Sequence, residues 1–415
     1  MSLAIADVAN MYVSCERAFD PRLIGRPTIV LSNNDGCAIA RSDEAKALGI
    51  KMGAPLFRIR RIVADHGVEL RSSNYELYAD MHARFNAVLT ERADDIEVYS
   101  IDESFFAHPP GEVAGARAII DAVRRETGLP IRIGMGPGKV LAKLANHLAK
   151  KNPVFAGVCD LNDEGLRARL LPLVPVTDIW GVARATAAKL APLGIRTAGD
   201  LAAMPPALAR TVGTVVLERL VRELNGDADP ELQVEPRALQ ATAVTRCFGA
   251  PVTRLQELRE AMVRHAVRAT EKIRADGLVA RRLIAFAHNF RFRAGPKYNA
   301  TRHATLSPAS NDPRVAAAVA GRLAEAIYRP GIEFEKCGVL LEDLQPAGRA
   351  QLDLFADADP RGVSLIEAID TINRRFGRHA VRIAAEGVGQ KRYETKRSLK
   401  SPCWTTRLSD IPAVR

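Results

Sequence analysis

The sequence predicts an α+β protein of several domains. Its 415 residues exceed what one ordinary core organises, so about three to four domains or subdomains are expected. Strand-like and helix-like segments alternate over roughly residues 1–165. Residues 241–343 then run β-α-β-β-α-β, the ferredoxin-like pattern.

The elements read in order as follows. LAIADV opens as a buried strand, and RPTIVLSNNDG is a second strand closed by the polar turn Asn33-Asn34-Asp35-Gly36. RSDEAKALGI is a short helix ended by Gly49. SSNYELYADMHARFNAVLTERA is a longer helix, with Ser73 and Glu76 at capping-box spacing. EVYSIDESFFAH follows as a buried strand with a break. VAGARAIIDAVRRETG is a helix with Val113, Ala116, Ile119, Ile120 and Val123 on one face. PIRIGMG is a strand, and PGKVLAKLANHLAKK a basic helix. From Leu166 to about Gly226 the text turns helical, broken by Pro and Gly, and residues 227–240, with Pro230 and Pro236, read as a linker. Within 241–343 the strands ATAVTRCF, RRLIAFAHNF and KCGVLLEDL alternate with helices over about Leu255–Asp276 and Val315–Tyr328. Beyond Leu344 the chain reads as a tail, partly ordered at best.

Composition narrows the function. An apolar share of 47% with 26% charged residues is that of a soluble globular protein. The net charge of +11, from 59 basic and 48 acidic residues, favours a polyanionic partner, nucleic acid before acidic membrane. Six scattered cysteines hold no Cys-x-x-Cys pair, so neither a zinc site nor a disulfide framework is expected and a reducing cytoplasm fits. No signal-peptide core and no membrane-spanning apolar run is visible, so no membrane is expected.

Chemistry enters with SIDES. Neighbours on a straight strand face opposite ways, so Asp102 and Glu103 converge only at a turn or bulge. Clustered carboxylates repel unless a cation neutralises them, and magnesium suits oxygen ligands. Asp7 ends the strand LAIAD, a place from which active-site groups project. Three such acids would hold two Mg²⁺ ions about 3.5–4 Å apart, the arrangement for phosphoryl transfer. An exposed hairpin tip with incidental acids is the plainer alternative for the pair alone. Lys139, Lys143 and Lys150 fall on one helical stripe, by default a solvated face, although the helix begins at Gly136-Pro137-Gly138 with amides free for phosphate. Val rather than Ser or Thr follows Gly138-Lys139, so this is no Walker A loop.

The blocks DVANMYVSCE, LSNNDGCAIARSDEAKALGIKMG, SSNYELYADM, VYSIDESF and GPGKVLAKLANHLAKK stand in the order of the Y-family translesion DNA polymerases. The likeness runs over nearly the whole chain, to QLDLF and SPCWTTRLSD, and is of the bacterial DNA polymerase V type. The resemblance implies a right-hand polymerase: palm over 1–32 and 74–165, small fingers over 33–73, a helical thumb with a helix-hairpin-helix over 166–230, a linker over 231–240, a ferredoxin-like little finger over 241–343 and a tail over 344–415. It implies Asp7, Asp102 and Glu103 as catalytic metal ligands, with the Val8 carbonyl as a backbone ligand. Tyr12 matches the aromatic steric gate beneath the sugar. Lys46 and Lys150 match contacts to the triphosphate of a deoxynucleotide. Relatives place an aromatic residue before the gate, where this chain has Met11, and another at Asp43, with Arg41 a candidate replacement.

DIWGVARATAAKLAPLGIRTAGDLAAM resembles a helix-hairpin-helix whose turn, Gly181 to Ala183, offers amides to a DNA phosphate, with Ala183 where a second glycine is usual. Lys139 and Lys143 are further candidates for primer-template DNA. In the little finger Arg246, Arg281, Arg282, Arg291, Arg293, Lys297 and Arg302 suit a sequence-blind, salt-sensitive grip on duplex. Gln351, Leu352, Leu354 and Phe355 of QLDLF suit a groove and resemble a peptide that binds the β sliding clamp. The basic stretch Lys391 to Arg407 implies, by resemblance, docking to the UmuD′ dimer and a RecA filament.

The expected activity is error-prone, lesion-bypassing DNA synthesis in an SOS-type damage response, without a proofreading domain. A catalytically silent polymerase-like scaffold is the rival, though such relatives typically lose the carboxylates kept here. A nucleotidyl cyclase with palm-type acids is a third reading, disfavoured by the DNA-gripping segments.

Overall fold

The computed structural model describes residues 2–228, 231–235, 238–289, 297–349, 360–377, 379–388, 394 and 396–411. The chain divides into two compact units. One takes in residues 1–32, 36–237 and 398–415, the other residues 33–35 and 238–397.

The first unit begins β1 (Ser2–Val8), α1 (Met11–Phe19), β2 (Thr28–Leu31), β3 (Ala38–Arg41), α2 (Asp43–Ala47), α3 (Leu56–Asp65), β4 (Glu69–Ser72) and α4 (Tyr75–Thr90). It continues with β5 (Glu97–Val98), β6 (Glu103–His108), α5 (Val113–Thr127), β7 (Ile131–Gly136), α6 (Lys139–Lys151) and β8 (Val158–Asp160). Five strands form one sheet in the order β5-β6-β1-β7-β8, with β1 at its centre. Every residue of β1 is buried. Ala4, Ala6 and Val8 pack in the core shared with α4 and α5, whereas Ile5 packs with Phe105 and Ala142 of α6. A strand covered on both faces reads as a continuous apolar run, which is why the acid at its end stands out.

Helix α6 lies directly on β7. A Cβ at Gly134 would fall 2.1 Å from the Asn146 nitrogen and 2.2 Å from the Ala142 oxygen, so only glycine permits this approach. The smaller sheet, β3-β2-β4, carries α2 and α3. It begins at Thr28, ahead of residue 33 where the sequence suggested a boundary. A helical layer follows: α7 (Glu164–Leu170), α8 (Arg184–Leu190), α9 (Ala198–Ala202) and α10 (Pro206–Leu224). Its core takes in the far side of α6 through Val140, Leu141, Leu144 and Ala145.

The second unit holds β9 (Ala241–Val252), α11 (Leu255–Ala275), β10 (Leu278–His288), β11 (Asn299–Ser310), α12 (Pro313–Ile327) and β12 (Phe334–Pro346). The β-α-β-β-α-β order is as expected, and the sheet β11-β10-β12-β9 is antiparallel throughout.

One expectation needs correction. The cap of α4 is Asn74, whose side chain accepts from the Leu77 amide, while the Ser73 hydroxyl donates to the Leu31 carbonyl instead. Glu76 pairs with Lys400 at 2.7 Å. The tail carries ordered segments, as a partly ordered tail would. It contains α13 (Pro360–Phe376), tied down by a two-pronged ion pair between Arg274 and Asp370 at 2.8 and 2.9 Å. Residues Ser401 and Cys403 are buried in the first unit. Among the described residues no helix is long and apolar enough to cross a membrane.

Gly134→Ala drives a methyl group into the α6 backbone and should lower the unfolding free energy by about 3 kcal/mol or more. Gly348→Ala, which meets nothing within 4 Å, should leave it within about 0.5 kcal/mol. Chemical denaturation of the two variants makes the comparison.

Candidate active site

Strand pairing assembles the acids. Asp7 stands opposite Glu103 on β6 and opposite Arg132 on β7. The Val8 amide donates to the Asp102 carbonyl at 2.8 Å, which ties the β5–β6 turn to the end of β1. In that turn the Tyr99 and Ser100 amides both donate to the Glu103 carbonyl, at 3.1 and 3.0 Å. The Ser100 hydroxyl donates to Asp102 Oδ1 at 2.6 Å. Asp102 therefore leaves a turn while Glu103 opens a strand, and the alternation of a straight strand does not apply. Asp7, Asp102 and the end of β1 line a cavity of about 470 Å³.

The lysine stripe of α6 makes these charges tolerable. Lys150 donates to Asp7 at 2.5 Å, Lys143 to Glu103 at 2.8 Å and Lys139 to Glu97 at 2.6 Å. Lys143 also lies 4.4 Å from the ring centre of Tyr99 and 5.1 Å from that of Trp180. The stripe is thus no solvated face. Lys139 and Lys143, read from the sequence as DNA contacts, are committed to carboxylates of the same chain.

Burial raises the Asp7 carboxyl above the usual carboxylate range; Lys150 pulls it back, and the neighbouring Glu103 pushes it up again. Burial also works to raise Glu103. The bonds from Lys143 and from Asp7, with the charges of both lysines, outweigh it and leave Glu103 below its ordinary value. The two carboxyls thus titrate as one pair.

Around the same cavity stand Arg41, Lys46 and Arg132. Arg41 Nη1 donates to the Ile50 carbonyl at 2.8 Å, and its buried Nε has no partner. Lys46 reaches Asp43 at 2.9 Å, and Asn10 donates to the same oxygen at 3.2 Å. Asp43 lies below its ordinary value, chiefly through the Lys46 hydrogen bond. Asn10 holds a left-handed backbone, φ 52°, which orients α1. Tyr12, in the first turn of α1, stacks on Tyr78 with ring centres 4.4 Å apart and planes 13° apart. Met11, in place of an aromatic residue, is buried in the core.

The acid set fits a hard divalent cation in donor chemistry: carboxylate oxygens, one of them buried, clustered so that they call for positive charge. Here that charge comes from Lys150 and Lys143. Among the described residues no three acidic, His or Cys side chains already stand as a metal cage.

Elsewhere, Gly181 turns the chain with φ 95°, and a Cβ there would fall 2.9 Å from Leu220 Cδ1. Ala183 precedes α8 in extended backbone. In the second unit Arg246, Arg281 and Arg302 are exposed, as is Lys297, while Arg282 pairs with Glu342 at 2.7 Å. Arg291, Arg293, Gln351, Leu352, Leu354 and Phe355 lie outside the described residues.

Residues 6–147 match the impB/mucB/samB family and residues 240–354 its C-terminal domain. Residues 364–414 match a domain of unknown function, DUF4113. The chain is 40% identical over 426 residues to Protein UmuC of Salmonella typhimurium, covering 99% of this chain and 100% of that one. It is 40% identical over 418 residues to Protein MucB of Escherichia coli, covering 99% and 98%. A DNA polymerase IV of Corynebacterium diphtheriae is 29% identical over 364 residues, covering 85% and 77%. The fold matches a solved Y-family DNA polymerase chimera based on Dbh, with a TM-score of 0.66 at 18% identity, covering 85% of this chain and 100% of that one.

The chain belongs to the Y family of DNA polymerases, among UmuC and its relatives.

In this Y-family polymerase, sequence reasoning overlooked Arg132. Its side chain has no hydrogen bond or ion pair among the described residues, yet it lines the cavity. A single charge inside the apolar strand IRIGMG was the available signal, and its register with Asp7 was not. Ser100 and the contact of Asn10 with Asp43 were missed too, since neither leaves a mark in spacing.

Lys143→Met strands a half-buried carboxylate and removes two ring contacts. It should cost about 2 kcal/mol of stability, whereas Lys46→Met, at an exposed pair, should cost under about 1 kcal/mol. Chemical denaturation compares them.

Proposed function

We propose that the cavity at the end of β1 is the nucleotidyl-transfer site, with Asp7, Asp102 and Glu103 as its metal ligands. As a family member the chain is an error-prone, DNA-directed DNA polymerase of translesion synthesis in an SOS-type response. The observation that carries the site reading is the division of one cavity into acids on a strand end and a turn, and cations around them.

Polymerases of this family generally depend on divalent metal. We assign Asp7, Asp102, Glu103 and the Val8 carbonyl to two Mg²⁺ ions, which when bound would polarise the α-phosphate and ease loss of the primer hydroxyl proton. The chain's own groups do the rest. Lys46, Lys150 and Arg132 offer charge to a triphosphate, with Arg41 behind them. Arg132 supplies a cation where Asp43 replaces the aromatic residue of relatives. Tyr12, packed on Tyr78, presents a ring edge to the sugar, so a 2′-hydroxyl collides with it while a deoxyribose does not. The pyrophosphate leaves toward the same cations.

In this reading the five-stranded sheet is the palm, β2–β4 with α2 and α3 the fingers, α7 to α10 the thumb, and the second unit's sheet the little finger. Binding of primer-template DNA and deoxynucleotides follows from membership. The turn from Gly181 to Ala183 and the exposed Arg246, with Arg291 and Arg293, are the proposed backbone contacts. Gln351, Leu352, Leu354 and Phe355 are the proposed β-clamp peptide, and UmuD′ and RecA the proposed partners of the tail. The cytoplasm is the proposed location.

Primer extension in magnesium tests the acids. Asp7→Ala and Asp102→Ala should each lose at least about 10³-fold in kcat while still binding primer-template. Activity within tenfold of wild type would refute the assignment. Arg132→Ala should raise KM for the deoxynucleotide about tenfold with kcat nearly unchanged, read from single-nucleotide insertion.

A further inference from the structure

Residues 398–411, the end of the DUF4113 match, run as a strap over the first unit. Its backbone pairs with β4, where the Ser72 amide donates to the Leu399 carbonyl and the Leu399 amide to the Ser72 hydroxyl, both at 3.0 Å. Asn74, the α4 cap, gives its side-chain amide to the Ser401 carbonyl and hydroxyl and to the Pro402 carbonyl, at 3.2, 2.9 and 3.1 Å. Trp404 stacks on Phe19 of α1, with ring centres 5.3 Å apart.

One strap group reaches deeper. The Ser401 hydroxyl donates to Glu16 Oε1 at 2.9 Å, and the Tyr78 hydroxyl donates to the same oxygen at 2.7 Å. Glu16 is fully buried, and its other oxygen has no partner. Burial raises its carboxyl, and the bonds from Tyr78 and Ser401 hold it back. Such a group costs stability unless donors meet it, and the strap supplies one of two. Glu16 lies one helical turn beyond Tyr12 on α1, and Tyr78 one turn beyond Asn74 on α4. Tyr78 then stacks on Tyr12. A continuous chain of contacts, Ser401 to Glu16 to Tyr78 to Tyr12, joins the strap to the cavity wall.

We propose that the strap is a positioning element for the sugar gate: Ser401, through Glu16 and Tyr78, fixes the Tyr12 ring and so sets how strongly ribonucleotides are refused. The proposal rests on reading Tyr12 as that gate. Exclusion of one hydroxyl depends on sub-ångström placement of the ring, whereas insertion of a deoxynucleotide tolerates a looser one. The tail thus serves the active site of its own chain, in addition to any partner it meets. Losing the Ser401 donor leaves Glu16 held by Tyr78 alone, and the Tyr78 ring gains freedom to shift.

The test is single-nucleotide insertion by the full chain, comparing kcat/KM for a deoxynucleotide with that for its ribonucleotide. Ser401→Ala should erode the preference about fivefold while kcat/KM for the deoxynucleotide stays within about twofold. Ser401→Thr, which keeps the hydroxyl, should restore it. Tyr78→Phe cuts the same chain at its other end and should reproduce the loss. Lys400→Ala loosens the strap without touching Glu16 and should leave the preference intact, which separates positioning from stability. Adding Ser401→Ala to Tyr12→Ala should change nothing further. If Tyr12→Ala abolishes the preference while Ser401→Ala and Tyr78→Phe keep it, the strap proposal falls and the gate stands. If Tyr12→Ala itself keeps the preference, the gate reading fails and takes the proposal with it.

Discussion

The candidate site turns on the burial of one carboxyl. Asp7 lies at the end of a strand covered on both faces, beside Glu103 across the ladder. Two acids in such a place are unstable without positive charge, and α6 delivers it from a stripe of lysines. For α6 to lie that close, β7 must surrender a side chain, hence Gly134. The sheet register, the packing of the helix and the glycine together bring the lysines to the acids.

That arrangement links fold to chemistry. As proposed, the acids that now meet lysines would take divalent ions on the same oxygens, and the remaining cations would face the phosphates. Around Tyr12, the proposed sugar gate, packing governs instead. Tyr12 stacks on Tyr78 and meets Tyr75 edge-on, so its placement depends on ring packing, including what lies behind Tyr78. Behind Tyr78 is a buried acid held in part by the last residues of the chain. Under the proposed roles, discrimination and catalysis draw on different kinds of interaction within one cavity.

Much of this was legible. LAIADV announced a buried strand because both its faces are covered, and SIDES announced a turn because adjacent acids cannot both leave a straight strand in one direction. The stripe of Lys139, Lys143 and Lys150 was visible as spacing, but its partners were not. Periodicity says which residues share a face, never what faces them, so Glu97 and Glu103 had to come from the structure. Arg132 was hidden for the same reason, since its meaning lies in its register with Asp7. The tail was least legible in detail. SPCWTTRLSD is short, polar and without period, and its order comes from contacts more than 300 residues away in sequence, such as Asn74 with Ser401. Ser73 misled locally, because a capping-box spacing does not say that its hydroxyl is already spoken for by Leu31.

The most direct check on the central claim is divalent-ion binding by the whole chain, followed by Mn²⁺ paramagnetic resonance with primer-template and a non-hydrolysable deoxynucleotide. Wild type should take up two ions, and Asp7→Asn, Asp102→Asn and Glu103→Gln should each weaken uptake by at least about tenfold. An unchanged titration in the triple variant would contradict the account.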